Sequence, residues 1–253
     1  MKTEKIRQKL TDISVYRFTE LTFRSLLFLA AAVIYIWNRI RGERSLTDVL
    51  GNSPLVLMLV WFVFMFEMIL RFIPSGVESR GCQKQFAGHF VPTGDTSPAP
   101  KTAKTTFLAA ASWLALNGII GVLYFTKVID RGILLLVCLA YSVCDMICIL
   151  FFCPFQTWIL KNKCCVTCRI YNWDYAMMFT PLVFIPNVYS VTLLAMALAL
   201  LVKWEIAYHT HPERFFESKN AALRCENCTE KLCAHKTQLQ QYLKRYRRLL
   251  RKQ

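Results

Sequence analysis

Two short cysteine-rich stretches carry the residue types and spacing of a metal site. KNKCCVTCRIYNWD places Cys165 and Cys168 in one CxxC, with Cys164 adjacent, and LRCENCTEKLCAHK places Cys225 and Cys228 in a second, followed by Cys233 and His235. One tight turn directs two thiolates at a single ion, and a second such knuckle completes a tetrahedral set, so the expected metal is Zn²⁺ in a structural or regulatory role. An iron–sulfur cluster, which uses the same thiolates, is the alternative cofactor and would make the chain a membrane redox protein. A thioredoxin-like redox reading lacks the βαβ pattern that usually surrounds its CxxC. His209 and His211 in HTHPERF are secondary ligand candidates that read more simply as a turn before Pro212. Cys82 and His89 stand too far apart in a loop to count as a site, and Cys138, Cys144 and Cys153 read as small apolar packing residues.

A second group comprises ionisable residues inside apolar runs. Arg24, Glu67 and Asp145 each sit where a charge costs several kcal/mol unless it is paired or wet. Taking the N-terminus as cytosolic places Arg24 near the inner end of the first run, and Glu67 and Asp145 in the inner halves of the second and fourth. All three can then meet at one depth, with Cys148 on the helix face of Asp145 and Asn117 of the third run as a possible companion. An ion pair that fixes helix packing is one reading. The other is a small transporter, coupled to protons or cations, that uses Glu67 and Asp145. A small number of runs and no internal repeat visible by eye weigh against transport.

The elements that must hold these residues are apolar and long. Of 253 residues, 55% are hydrophobic, the mean hydropathy is +0.35, and an integral membrane protein follows from composition alone. Leu21 to Trp37, Pro54 to Ile73, Thr106 to Thr126, Ile133 to Phe152 and Met177 to Val202 approach or exceed the roughly 20 residues that cross a hydrocarbon core. The first run leads into NRIRGERS without a small-residue cleavage pattern and reads as a retained anchor. Pro92, Pro98 and Pro100 make the segment between the second and third runs a loop.

Basic residues decide among topologies, because cytoplasmic flanks carry the excess of Lys and Arg. Five crossings with the N-terminus inside violate that rule. Four crossings, with Met177 to Val202 entering and leaving on the cytosolic side, put 25 of the 31 basic residues inside and five outside. Pro181 and Pro186 supply the break that a re-entrant segment needs. The expected fold is therefore all-α and multi-pass: about four transmembrane helices plus a fifth, possibly re-entrant segment over residues 1–203. Residues 204–253 form a cytosolic Cys- and His-containing tail. Both termini face the cytosol, and the expected location is the plasma membrane. On this topology both CxxC pairs share a compartment and can share an ion.

The net charge of +15 concentrates toward the end. In TQLQQYLKRYRRLLR, Leu239, Tyr242, Leu243, Tyr246, Leu249 and Leu250 lie on one helical stripe with Lys244, Arg245, Arg247 and Arg248 off it, a basic amphipathic helix suited to anionic headgroups of the lipid bilayer. Nucleic acid is not expected as a partner, since no accompanying motif is present. No Ser, His and Asp nucleophile arrangement, Gly-rich phosphate loop or HExxH occurs, so no familiar enzyme class is indicated.

Overall fold

The computed structural model describes residues 12–42, 54–74, 81–95, 97, 103–162 and 164–228. Within them the chain forms six α-helices joined by short 3₁₀ and π turns: α1 (Asp12–Arg41), α2 (Pro54–Leu70), α3 (Ala103–Phe125), α4 (Arg131–Leu150), α5 (Asp174–Phe179) and α6 (Val188–Thr210). The described residues form no strand, and their only β-type pairing is the isolated bridge between Pro92 and Asn220. Four helices, α1, α3, α4 and α6, are long and apolar enough to cross a membrane; α2, at 17 residues, is shorter. Outward faces of α1 and α3 expose Leu26, Val33, Phe107, Leu114, Ile119 and Val122. Such a continuous apolar exterior is out of place in water and suits lipid. These features together suggest an integral membrane protein.

Helix directions follow from pairwise contacts. Phe18 meets Phe151 with ring centroids 6.0 Å apart and Tyr35 donates to Asp130 at 3.0 Å, so α1 and α4 are antiparallel. Trp61 donates to Thr192 at 2.8 Å and Lys203 to the Phe72 carbonyl at 2.8 Å, so α2 and α6 run parallel. We call the end that gathers the first turns of α1, the end of α4 and the end of α6 the proximal end, and the opposite one the distal end.

The fifth apolar run differs from the expected single broken element. Its prolines lie ahead of the long helix: Pro181 opens the 3₁₀ turn Thr180–Phe184, and Pro186 precedes Asn187, whose side chain caps α6 by accepting from the Ser190 amide at 2.8 Å. From Val188 to Thr210 the helix is unbroken, because the cap gives the chain a fresh start after the last proline. The descending limb is short and irregular. It begins near Asp174, 2.6 Å from Arg71, passes Trp113, which donates to Thr180 at 3.2 Å, and reaches Phe184 beside Phe125 near the distal end of α3. Six helical and five 3₁₀ residues span about 19 Å. An ion pair between Arg169 and Glu205 closes the excursion, so the chain leaves and regains the proximal end within one hairpin.

The core lies where this hairpin meets α2 and α4, around Phe64, Met68, Cys138, Met178, Phe179, Leu193 and Leu200. At the proximal end, polar side chains take over from apolar ones. Fully buried Asn220 donates to the carbonyls of Lys84 at 3.0 Å and Arg214 at 2.9 Å and accepts from the Val91 amide at 3.3 Å. It thereby ties the segment after α6 to the loop after α2. Gln85 makes a second tie, donating to the Val166 carbonyl at 3.0 Å and accepting from Asn172 at 2.7 Å.

Candidate functional site

Arg24 is the centre of a buried charge network. Its side chain is 3% exposed, and its Nη2 reaches Glu20 at 2.7 Å, one helical turn away, and Glu67 of α2 at 2.9 Å. Its Nη1 donates to the Ser142 carbonyl at 3.3 Å and lies 3.7 Å from Asp145 of α4. The three residues singled out in the sequence therefore do meet, on one guanidinium. Four more groups extend the network. Arg17 pairs with Glu20 at 3.0 Å, Tyr175 donates to Glu67 at 2.8 Å, and Arg71 pairs with Asp174 while stacking over the Tyr175 ring at 4.6 Å. The Phe64 ring faces Arg24 at 5.5 Å.

Among the described residues this network holds three guanidiniums, Arg17, Arg24 and Arg71, and four carboxylates, Glu20, Glu67, Asp145 and Asp174. Lys203 does not redress the excess: its ammonium is directed to the Phe72 carbonyl and to the rings of Phe72, Phe86 and Trp204. Glu205 is matched separately by Arg169. A buried site with one surplus negative charge draws a proton or a cation. Asp145 is the least tightly matched of the four, since the guanidinium it faces is shared with two closer carboxylates.

Asp145 and Asp174 line a cavity of about 130 Å³ between α3, α4 and α5. Trp113, Tyr141 and Phe155 form an aromatic wall: the Trp113 centroid lies 4.6 Å from that of Tyr141 and 6.2 Å from that of Phe155. Cys144, Cys148, Cys153, Cys165 and Cys168 also line it, so the first CxxC belongs to this cavity. Two buried oxygens of the lining, Tyr141 Oη and Asp174 Oδ1, have no hydrogen-bond partner among the described residues. Asp145 lies five residues before the end of α4, about 8 Å along the helix.

The four-thiol site expected of Cys165, Cys168, Cys225 and Cys228 finds no support among the described residues. Among the described residues no three His, Cys, Asp or Glu side chains converge on a point that would hold a metal, which the pairs Cys165/Cys168 and Cys225/Cys228 would have to do to share Zn²⁺ or an iron–sulfur cluster. Cys165 instead donates to Gln156 Oε1 at 3.0 Å, and Cys225 and Cys228 flank a separate 3₁₀ turn, Cys225–Asn227. Sequence spacing fixes how each CxxC can fold but not where two of them meet. His209 and His211 face Glu205 at 3.9 Å and Glu213 at 3.2 Å, and His89 contacts the Gln83 carbonyl. Cys233, His235 and the amphipathic stretch 237–251 lie outside the described residues.

Asn117, the possible companion of the acids, donates its Nδ2 to the Trp113 carbonyl of its own helix at 3.0 Å. Sequence reading missed Glu20, Arg71, Asp174, Tyr175 and Tyr141. Of these only Glu20 carries a usable signal, its i,i+4 spacing to Arg24, and it falls one residue before the apolar run. No protein family, curated protein or solved structure matches this chain.

Proposed function

We propose that the chain is an integral membrane protein that takes up a proton or a small monovalent cation at the charge network around Arg24. The observation that carries this reading is the surplus carboxylate: among the described residues four partly buried acids face three guanidiniums, and Asp145, the most loosely matched, lines a cavity. The irregular limb Asp174–Phe184 alongside that cavity supports it, since interrupted helices at membrane depth line binding sites in transport proteins. The proximal end is cytosolic in this reading, because the basic residues gather there, and both termini face the cytosol of a cell bounded by the plasma membrane. Reconstituted protein is expected to show saturable proton or cation uptake into vesicles, with Asp145→Asn abolishing it while folding yield is kept. Uptake by Asp145→Asn equal to that of the unaltered chain would overturn the reading.

A metal role for the tail is a second proposal, carried by the spacing of Cys225, Cys228, Cys233 and His235, which is compatible with one Zn²⁺ site independent of Cys165 and Cys168. Elemental analysis of anaerobically purified protein tests it: one zinc per chain that is lost in Cys225→Ser and retained in Cys165→Ser is the expected result. Iron with a visible absorption band would point to a cluster instead. The basic stretch 237–251 is proposed to lie on anionic headgroups, with vesicle binding that weakens as salt rises.

A further inference from the structure

We propose that the cavity beside Asp145 and Asp174 binds a small primary ammonium compound carrying an aromatic or compact apolar group, an assignment that rests on the cation reading of the network and names its ligand.

The polar part of the cavity includes oxygens of Asp145, Asp174 and Tyr141 that can accept. Asp145 presents a carboxylate whose guanidinium contact is 3.7 Å. Asp174, with 8% of its side chain exposed, commits its Oδ2 to Arg71; among the described residues its Oδ1 and Tyr141 Oη have no hydrogen-bond partner. Both are buried oxygens of the kind that proteins rarely leave unsatisfied. An R–NH₃⁺ group has three N–H donors and one positive charge, so it can donate to such oxygens and cancel the surplus carboxylate at the same time. Arg71 and Arg24 are the cations facing these acids, from the end of α2 and from α1, and both are already committed to carboxylates.

The remaining walls select what the ammonium carries. Trp113, Phe155, Ile149, Met177 and Met178 offer no side-chain oxygen ligands, so on that side a bare Na⁺, K⁺ or Ca²⁺ would surrender part of its hydration shell without replacement. The same walls suit a ring or a short alkyl group, and aromatic faces favour an adjacent cation. A cavity of about 130 Å³ is close to the size at which an apolar protein cavity takes up a benzene ring.

Benzylammonium serves as the probe, with benzyl alcohol as its uncharged counterpart and K⁺ as a competitor, on the full chain in lipid nanodiscs. Expected are saturable benzylammonium binding, at least tenfold weaker binding of benzyl alcohol, and no displacement by K⁺ at equal concentration. Tyr141→Phe is the diagnostic variant. It deletes a hydroxyl that holds no partner, so the fold and melting temperature should stay as they are, while benzylammonium binding falls about tenfold, as loss of a hydrogen bond to a charged group implies. Binding unaffected by Tyr141→Phe, equal binding of the alcohol, or no saturable binding overturns the assignment. If benzylammonium fails to bind while vesicle uptake remains sensitive to Asp145→Asn, only this assignment falls. If both are absent, the cation reading falls with it.

Discussion

Arg24 holds three carboxylates from three helices, so its removal leaves charges rather than a gap. Replacing one partner of a buried ion pair strands the other in low dielectric and destabilises by about 3–5 kcal/mol. Arg24→Met is therefore expected to abolish monodisperse protein in detergent, whereas the triple variant Arg24→Met, Glu20→Gln, Glu67→Gln recovers part of the yield. Size-exclusion profiles of the two decide the matter. Arg24→Lys should fall between them, because an ammonium is a point charge and lacks the planar fork that lets one side chain meet Glu20, Glu67 and the Ser142 carbonyl together. Arg24, Glu67 and Asp145 were legible in the sequence since a charge within an apolar run has no neutral explanation. Asp174 and Tyr175 were not: they belong to a segment whose local composition resembles an ordinary loop, and only the path of the hairpin brings them against α2.

The hairpin also packs closely on α3. A Cβ at Gly121 would lie 2.6 Å from the Phe184 ring, so α3 approaches the irregular limb through the absence of a side chain. Gly121→Val is expected to lower the melting temperature by forcing Phe184 aside, at about 1–3 kcal/mol, and Phe184→Ala in the same chain should recover part of that loss; additive losses in the double variant would contradict this packing. The two prolines were legible as a break. Its position was not, because Asn187 restarts the helix immediately after Pro186, and a cap of one residue turns what reads as one kinked span into an irregular limb followed by a straight helix. The second apolar run shows the converse: the sequence offers residues enough to cross, yet the helix stops at Leu70, where Arg71 turns to Asp174.

At the scale of the whole molecule, the Arg169–Glu205 pair and the Asn220 ties bring every long loop on one side to the same end. Impermeant reporters placed at Lys161 and Glu217 are expected to label from one face of the membrane and a reporter at Lys127 from the other; Lys161 and Glu217 labelling from opposite faces would contradict the hairpin. Counting basic residues predicts the same arrangement, and this labelling tests it. The placement of the two CxxC pairs relative to each other was beyond such reasoning, since no periodicity relates residues 165 and 225.

The spacing of Glu20 and Arg24 bears on how the protein is made. Glu67 emerges from the ribosome after α1 and Asp145 far later, so during synthesis α1 meets the membrane without either partner. An unmatched arginine near the inner end of a nascent span raises the cost of partitioning, by less than the ~2.5–3.5 kcal/mol it adds at a span's centre. Glu20, one turn before it and 2.7 Å away, neutralises Arg24 within the helix itself, and Arg17 in turn neutralises Glu20 at 3.0 Å. The first span thus carries a provisional partner that permits insertion before the permanent ones exist. In a glycosylation-tag assay of the isolated first span, Glu20→Gln should shift the product from inserted toward translocated. Arg24→Leu, lethal to the assembled bundle, should raise insertion of that same span.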